Sequence, residues 1–482
     1  MLMKTASQSL TEQLAARFAE RIKSQLLAPG ARLPSVRLCA QQQGVSVSTV
    51  VAAYDQMQAQ GLVVARKNSG FYVRDAIVVG LDENSPVDQL KRAQAAPVSI
   101  AAASQQLARP IDASALLRGM FERGGHKPQP GMGVFPPDWL DTPFLLTAVR
   151  KFTTAAALKE ASLSYGDPKG DLGLRQALSQ KLSALNVLVP ASQIITTIGA
   201  THALDIVSRT LLKAGDAVMV EEPGWSVEFA RLSALGMRVL PVPRRADGPD
   251  LGVMARYCQL HAPKLFVSVS VFHNPTGYCI SPGSAHRVLQ LANEHDFYVC
   301  EDDTYSHLAP EHATRLCALD GLQRTIYVSG FAKILAPGWR VGFLAAPPAL
   351  VDRLERTKLL TTLTTPALLE KALAWCIDQG QLRRHAERIR SRLAQARSRA
   401  VKLALAHGCT FAAEPAGLFG WVDTGVDTDL LSQRLLDEGY LIAPGALFYA
   451  QRAPSRLMRI NFATAQDAAF WRVFSRLQKA AL

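Results

Sequence analysis

The chain has 482 residues, a formal net charge of +13 and 48% hydrophobic residues. This length exceeds one ordinary domain and predicts two or three, with enough apolar residues to fill large cores. The positive excess favours a polyanionic partner, although a merely basic enzyme fits the charge equally well.

The seven cysteines are scattered, and no two have C-x-x-C spacing. This spacing excludes a disulfide framework and a cysteine metal motif, and it fits a reducing cytosol. The N-terminal sequence lacks a long apolar core and a cleavage site, and no run approaches the ~18 apolar residues of a membrane helix. We therefore expect a cytoplasmic protein with no signal peptide, no metal and no membrane partner.

The first 75 residues combine helical patterns with a short β-like end. Apolar spacing, a Pro near the second helix start and Ser46 as a cap predict three helices and a two-stranded wing. The predicted elements are Leu10–Leu27, Leu33–Gln43, Ser46–Gln60 and the hairpin 62–74. Helix, helix, tight turn, helix and hairpin is the order of a winged helix-turn-helix.

The third helix of such a domain enters the major groove by its N-terminal end. Ser46, Ser48 and Thr49 lie at that end and are short enough to reach bases or phosphates. Residues 1–75 also hold nine Lys/Arg against four Asp/Glu, which supplies charge for phosphate contacts. On this pattern alone, a helical docking module with a solvated basic face remains an alternative.

The segment from Pro29 to Val73 resembles the signature of GntR-type winged-helix regulators nearly end to end. The resemblance implies a double-stranded DNA operator as partner. Together with the position of the cations, it gives the predicted DNA-binding residues Arg32, Ser35, Arg37, Ser46, Ser48, Thr49, Arg66 and Lys67. The family often has arginine between the two hydroxyl residues of the recognition helix. Val47 stands there in this chain, so the operator sequence does not carry over.

Residues 76–126 are mixed, with Ala, Gln, Ser and Pro, and are predicted to link a domain at 1–75 to one at 127–482. Apolar residues at helical spacing behind Asp112 predict a helix at 112–123 that docks on the larger domain.

From about Gln129 the pattern becomes strand and then helix, repeated. Short β-branched or aromatic runs followed by turn residues predict buried strands. These runs are IITTIG, DAVMVEE, KLFVSVSVF, FYVCEDD, TIYVSG and VGFLAA. Their alternation with helices over ~350 residues predicts an α/β fold with a mostly parallel sheet.

Several residues of this region match the needs of pyridoxal phosphate. That cofactor takes a lysine for a Schiff base, a carboxylate at its ring nitrogen, donors at its phenolate oxygen and cations at its phosphate. Lys333 follows a predicted strand, and Arg340 lies seven residues later between glycines. Asp302 and Tyr305 end another strand, and Asn274 lies in a turn. Singly, each also fits an ordinary structural role as a surface lysine, capping acid, core aromatic or turn residue.

Further candidates lie at other strand ends. Gly199 leads directly into a helix, so the amides of Ala200 and Thr201 form a candidate anion site. Trp225 is a flat aromatic positioned to stack on the cofactor ring. Arg459 is a candidate for the α-carboxylate of an amino-acid substrate.

In their order along the chain, these motifs resemble fold-type I aminotransferases over about residues 129–465, in the aspartate/kynurenine aminotransferase-like branch. The resemblance implies a PLP-dependent transferase fold with a smaller C-terminal subdomain. It implies that Lys333 carries the cofactor as the catalytic lysine, that Asp302 pairs with the ring nitrogen, and that Asn274 and Tyr305 bind the phenolate oxygen. It also assigns Arg340 to the phosphate, Arg459 to a substrate carboxylate, and Tyr165 to the phosphate of the partner subunit's cofactor, which implies a homodimer.

Two departures concern the phosphate. Gly330 and Ala332 replace serines that are usual near the lysine, although Ser329 could substitute, and Ala200 replaces another frequent serine. Weaker phosphate binding suits a sensor of cofactor level.

The two resemblances together match the architecture of the MocR family. They imply a transcription regulator whose DNA binding responds to pyridoxal phosphate, to an amino-acid effector as its aldimine, or to both. A ligand shifts repression only through its differential affinity for the DNA-competent arrangement. The alternative is an active aminotransferase with an appended DNA-binding domain.

Overall fold

The structure is a computed structural model. It describes residues 9–23, 27, 30–66, 70–74 and 127–481. The chain divides into two compact units, Met1–Gly125 and His126–Leu482. The predicted docking helix at 112–123 and Lys67 lie outside the described residues. Within the described ranges, no helix is long and apolar enough to cross a membrane.

The described part of the first unit contains three helices and a hairpin. They are α1 Leu10–Lys23, α2 Val36–Gln43, α3 Val47–Ala59, β1 Val63–Arg66 and β2 Gly70–Val73. Gly44 ends α2 with φ of 65°, a left-handed conformation that favours glycine. Ser46 caps α3 by accepting the Thr49 N–H at 3.1 Å. The predicted winged helix-turn-helix is confirmed, with Pro34 one residue before the α2 cap Ser35 rather than inside the helix.

Aromatic packing fixes α3 within this unit. Phe18 of α1 meets Tyr54 of α3 edge-on with ring centroids 5.8 Å apart. The Tyr54 hydroxyl donates to the Pro34 carbonyl at 2.9 Å, which ties α3 to the start of α2. The hairpin pairs antiparallel, with Val63 opposite Val73. The side chains at the start of α3 therefore have a defined direction.

The larger unit contains helices throughout its length. They are α4 Pro137–Leu140, α5 Pro143–Phe152, α6 Ala155–Leu163, α7 Leu172–Ser183, α8 Ala200–Leu211, α9 Ser226–Ala234, α10 Leu251–His261, α11 Pro282–Glu294, α12 Leu316–Asp320, α13 Pro348–Thr362, α14 Ala367–Asp378, α15 Gln381–Ala406, α16 Thr428–Asp437 and α17 Ala468–Lys479. Short 3-10 turns lie at Ala191–Gln193, Ser306–Leu308, Pro337–Trp339 and Gly445–Phe448.

The strands of this unit form two sheets. The first contains β3 Ile194–Thr197, β4 Ala217–Glu222, β5 Arg238–Arg245, β6 Gly248–Pro249, β7 Leu265–Ser268, β8 Tyr298–Asp302, β9 Thr325–Gly330 and β10 Gly342–Ala345. The second contains β11 Thr410–Phe411, β12 Phe419–Asp423, β13 Ala443–Pro444 and β14 Leu457–Asn461.

The first sheet has the order β3-β10-β9-β8-β7-β4-β5-β6. Strands β5, β4, β7, β8 and β9 pair in parallel. Strand β10 runs antiparallel to both neighbours, and β6 runs antiparallel to β5. All six predicted strands are present, and the mostly parallel sheet is confirmed.

Helices cover both faces of this sheet because its strands are apolar on both sides. Along β7, Leu265 packs with α8 and α13 on one face, whereas Phe266 packs with α10 and α11 on the other. The parallel strands end at one edge, where α/β proteins place their ligands. The loops after β7 and β9 therefore bring Asn274 and Lys333 to that edge.

The second sheet forms the smaller C-terminal subdomain. It is antiparallel in the order β11-β12-β14-β13. Phe470 and Trp471 of α17 are fully buried in the adjoining core. The pairing of β14 places Arg459 opposite Trp421 of β12 and Ala443 of β13.

Candidate functional site

Lys333 lies in the loop after β9 with a mostly buried amine. Its Nζ donates to the carbonyl oxygen of Gly133 at 2.7 Å. Burial, with a contribution from the nearby Arg459 cation, lowers the pKa of Lys333 to about 8. About one tenth of the amine is therefore neutral at pH 7, and this neutral form is the nucleophile.

Asp302 ends β8 beside this lysine. Its Oδ1 accepts hydrogen bonds from the Thr304 amide at 3.1 Å and from the Thr304 hydroxyl. Burial raises the pKa of Asp302 to about 6, and Asp302 in turn favours the charged form of Lys333. The bonds described for this carboxylate use Oδ1, which leaves Oδ2 for a cationic ring nitrogen.

Asp303, the residue after β8, fixes the end of this strand through buried hydrogen bonds. Its carboxylate accepts from Arg315 Nε at 2.6 Å and from the Tyr327 hydroxyl at 2.9 Å, and all three side chains are fully buried. A buried, hydrogen-bonded ion pair of this kind fixes local geometry. It holds the adjacent Asp302 in place.

Tyr305 and Asn274 form the third side of the site. Burial raises the pKa of Tyr305, and the neighbouring Asn274 side chain opposes that rise to a smaller extent. The Tyr305 ring also packs edge-on against Phe419, with centroids 5.7 Å apart. Both groups can therefore contact one oxygen of a bound ring.

Arg459 lies among neutral acceptors and aromatic rings. It donates to the Asn274 Oδ1 at 3.0 Å and to the Gly131 carbonyl at 2.6 Å. Its guanidinium carbon lies 4.4 Å from the Phe419 ring centre and 5.2 Å from that of Phe448. Burial lowers the pKa of Arg459 to about 10.

The Nε of Arg459 is buried without a hydrogen-bond partner in the described part of the chain. An unpartnered donor on a buried cation is costly, and an incoming carboxylate would satisfy it.

A tight backbone turn at Gly199, just before α8, forms a cradle beside Arg340. Gly199 precedes α8 with φ of 79°, and Arg340 donates to the Ile198 carbonyl at 3.3 Å. A Cβ on Gly199 would lie 2.6 Å from Arg340 Nη2, and one on Gly342 would lie 2.5 Å from the Gly199 carbonyl carbon. These two glycines let the start of α8 approach Arg340. Helix amides beside an arginine suit a phosphate.

The amides in this first turn of α8 are those of Ala200 and Thr201. Arg340 itself has φ of 52°, a conformation that non-glycine residues rarely adopt and that often marks functional sites.

For three predicted cofactor contacts, the surroundings in the structure do not point to the site around Lys333. The Ser329 hydroxyl donates to the Asp303 carbonyl at 2.9 Å. Trp225 is the N-cap residue of α9 and is partly buried. Tyr165 is 82% exposed and lines an open cavity of about 790 Å³. Their roles stay predictions.

Sequence reasoning missed four neighbours of the site. Gly131 and Gly133 supply the carbonyls that bind Arg459 and Lys333, while Phe419 and Phe448 enclose the Arg459 guanidinium. Gly133 lies 200 residues before Lys333. No local pattern in one sequence marks such a contact.

At the start of α3, hydroxyl groups that hydrogen-bond to one another lie beside exposed apolar side chains. The Ser46 hydroxyl lies 2.8 Å from the hydroxyls of both Ser48 and Thr49. Val47 is 51% exposed and Val51 is 40% exposed, one helical turn apart. Among the residues described here, this helix end therefore offers methyl groups as well as hydroxyls.

The other predicted DNA-binding residues surround α3. Arg32 and Arg37 are exposed, and Ser35 caps α2 by accepting the Leu38 N–H at 3.3 Å. The Arg66 guanidinium lies 4.5 Å from the centre of the Tyr72 ring. These placements leave the guanidinium groups on the surface of the unit.

Two family models match the chain. Residues 10–73 match bacterial regulatory proteins of the gntR family, and residues 136–477 match aminotransferase class I and II. The HTH-type transcriptional regulator YdcR of Escherichia coli, itself uncharacterized, is 28% identical over 460 residues, which cover 94% of each chain. The probable rhizopine catabolism regulatory protein MocR of Rhizobium meliloti is 29% identical, over 80% of this chain and 76% of that one.

Solved aminotransferases share the fold of the larger unit. LysN, an α-aminoadipate aminotransferase of Thermus thermophilus complexed with N-(5'-phosphopyridoxyl)-L-leucine, superposes with a TM-score of 0.69 at 23% identity, over 76% of this chain and 95% of that one. A multiple substrate aminotransferase of Thermococcus profundus has a TM-score of 0.67 at 26% identity, over 76% and 94% of the two chains.

Proposed function

The chain belongs to the aminotransferase class I and II family and joins it to a gntR-family domain in the MocR-type architecture, and on this premise we propose that it is a transcription regulator whose DNA binding responds to pyridoxal phosphate. The observation that carries the proposal is the pairing of a complete recognition helix, with its exposed start at Val47, and a cofactor site around Lys333.

The residues of the larger unit fit pyridoxal phosphate. Lys333 supplies a buried amine, Asp302 a carboxylate for the ring nitrogen, and Asn274 and Tyr305 groups for the phenolate oxygen. Arg340 and the start of α8 supply the phosphate cradle. When bound, the cofactor provides a covalent carbonyl partner and an electron sink for amino acids.

Footprinting on DNA upstream of the protein's own gene tests the regulator. We expect a specific, salt-sensitive footprint that changes when pyridoxal phosphate is added. A protein that protects no specific DNA sequence, either without the cofactor or when saturated with it, would overturn the proposal.

A working aminotransferase is the second candidate function. The buried cation of Arg459 and the lowered pKa of Lys333 favour it, because they offer carboxylate binding and proton transfer at one site. Multiple-turnover transfer between an amino acid and a keto acid would support this candidate, whereas single-turnover behaviour would favour a sensor.

We also propose a cytoplasmic homodimer in which Tyr165 reaches the phosphate of the partner subunit's cofactor. Its 82% exposure on an open cavity supports this assignment. Tyr165→Phe should weaken cofactor retention in the dimer through loss of one hydroxyl contact.

Cofactor attachment should depend on pH through Lys333. Only the neutral amine attacks a carbonyl, and with a pKa of about 8 roughly one tenth is neutral at pH 7. Rapid mixing of apoprotein with pyridoxal phosphate should show a rate that rises about tenfold per pH unit below 8 and levels off above it. A rate independent of pH between 6 and 9 would contradict this environment of Lys333.

The exposed valines of α3 should read thymine methyl groups. Apolar side chains in the major groove contact the C5-methyl of thymine, and each buried methyl contributes about 0.8 kcal/mol. On a selected binding site, replacing a contacted thymine by uracil should weaken binding about fourfold. The double variant Val47→Ala/Val51→Ala should not respond to the replacement.

Leu38→Ala is the matched control, because Leu38 is 47% exposed but lies on α2. It should keep the response to uracil. Uracil substitutions without effect on the unaltered protein would exclude methyl reading by α3.

A further inference from the structure

Helix α15, Gln381–Ala406, concentrates positive charge. Its 26 residues contain seven arginines, one lysine and a single acid, Glu387, for a net charge of 8 − 1 = +7. The whole chain has a net charge of +13. A charge equal to more than half of the net positive charge of the chain therefore lies on α15. This helix is outside both the winged helix-turn-helix and the cofactor site.

Five of these cations lie along one face, which we call the α15 stripe. They are Arg384, Arg388, Arg392, Arg399 and Lys402. At 100° per residue they fall within an arc of about 80°, and at 1.5 Å per residue they span about 27 Å. All are exposed except Arg392, which is partly buried. Leu382, Ile389 and Leu393 are buried on the opposite side.

Few acidic side chains neutralise the cations of the stripe. Arg392 pairs with Asp138 at 2.9 Å. Arg384 donates to the Gln379 carbonyl and Arg388 to the His385 Nδ1, both at 2.9 Å, so their partners are neutral. Burial lowers the pKa of His385, which keeps that ring an acceptor.

The lone acid of the helix, Glu387, lies off the stripe and pairs with Arg383 at 3.9 Å. Within the described ranges, Arg399 and Lys402 have no ion pair within 4 Å. Cations one turn apart destabilise an isolated helix, so the stripe is unfavourable for α15 itself.

The residues between the cations are suited to binding a ligand that carries phosphate groups. Ser391, Gln395 and Ser398 are exposed on the same side, and each can donate a hydrogen bond without bringing a negative charge. An open depression of about 660 Å³ adjoins the C-terminal part of the stripe. It is lined by Gln395, Ser398, Arg399 and Lys402, among others. Arginine, lysine and short polar side chains are the groups that contact DNA phosphates.

We propose that the α15 stripe is a second DNA-backbone surface, which binds phosphates outside the segment that α3 reads. The inference rests on the proposed DNA-binding function, because the recognition helix brings duplex DNA to the chain. A spacing of one phosphate charge per about 1.7 Å of duplex axis gives a 27 Å stripe enough partners for all its cations. The surface adds affinity and salt dependence without base specificity.

The test compares two full-length variants of equal charge. The stripe variant is Arg388→Gln/Arg399→Gln/Lys402→Gln, in which glutamine preserves helix propensity. The control is Lys213→Gln/Arg256→Gln/Arg287→Gln, which removes three exposed cations elsewhere on the larger unit. Equal melting temperatures and cofactor absorbance show that both fold.

Affinity is measured against salt on a duplex of about 60 base pairs centred on the α3 site and on a short duplex holding that site alone. On the long duplex, the stripe variant should lower the slope of log K against log salt by about 2 to 3 and bind about 10- to 100-fold more weakly at low salt. It should match the unaltered protein on the short duplex.

Identical slopes for the stripe and control variants on the long duplex would overturn the proposal. So would unchanged DNA binding combined with stripe-dependent binding to phosphatidylserine vesicles, which would assign the surface to anionic lipid. Failure of the proposed function has a different signature: the unaltered protein then binds neither duplex specifically, and Arg37→Ala changes nothing.

Discussion

Replacing Lys333 with alanine should abolish covalent attachment of pyridoxal phosphate. The amine of Lys333 is mostly buried, has a pKa lowered to about 8 and lies beside the carboxylate of Asp302. The other cations near the site, Arg340 and Arg459, carry guanidinium groups that stay protonated near neutral pH, so neither can replace the amine of Lys333. The visible Schiff-base absorbance should disappear, and borohydride reduction should leave no cofactor on the protein.

Lys358 is the matched control. Lys358 is fully buried, and burial lowers its pKa to about 8, as it does for Lys333. Its Nζ lies 3.4 Å from the hydroxyls of Thr196 and Thr365, away from the residues that fit a pyridine ring. Lys358→Met should therefore keep the covalent cofactor. Reduced cofactor mapped to Lys358, or retained in Lys333→Ala, would contradict the assignment.

Replacing Arg459 with glutamine should weaken the binding of amino acids to the cofactor-loaded protein about 100-fold. Arg459 is 4% exposed, and its guanidinium contacts neutral acceptors and has a buried Nε without a partner in the described structure. A buried charge pair with a carboxylate contributes about 2–4 kcal/mol, which corresponds to this change in affinity. Spectral titration with L-alanine and L-phenylalanine measures it.

The methyl esters of the same amino acids provide an internal control, because they lack the carboxylate charge. The unaltered protein should prefer the free acids strongly, and Arg459→Gln should lose most of that preference. Because Arg459 helps lower the pKa of Lys333, the midpoint for cofactor attachment should also move above 8 in this variant. An unchanged preference for the free acids in Arg459→Gln would show that another residue binds the carboxylate.

The sequence predicted the elements of the large sheet well because each strand is a short apolar run bounded by turns. The prediction TIYVSG coincides with β9, Thr325–Gly330. Strand β5 was missed since its sequence RVLPVPRR contains Pro241 and Pro243, which are rare within central strands. It lies beside only the two-residue β6 at one side of the sheet, where proline is tolerated.

The candidate site was predictable where chemistry requires particular residue types at strand ends. Lys333, Asp302 and Asn274 follow this rule, and the structure brings them to one edge of the sheet. The carbonyls of Gly131 and Gly133 and the rings of Phe419 and Phe448 were not predictable, because tertiary packing alone selects them. The Ser329 hydroxyl shows the converse: its sequence position suits a phosphate, but in the structure it donates to a backbone carbonyl.

The distribution of charge also needed the structure. The excess in residues 1–75 is visible in the sequence, but the larger excess on α15 becomes a surface only when its helical phase is known. Arg384 and Lys402 are 18 residues apart and share one direction, which five full turns of an α-helix produce.

Coupling between the two units is tested most directly by the affinity for DNA with and without the cofactor. Fluorescence anisotropy with a duplex from upstream of the protein's own gene, at fixed salt, gives the Kd of apoprotein and of protein saturated with pyridoxal phosphate. The cofactor should change the Kd of the unaltered protein at least about fivefold and leave that of Lys333→Ala unchanged. Equal Kd values for the apoprotein and the saturated, unaltered protein would contradict a cofactor-responsive regulator.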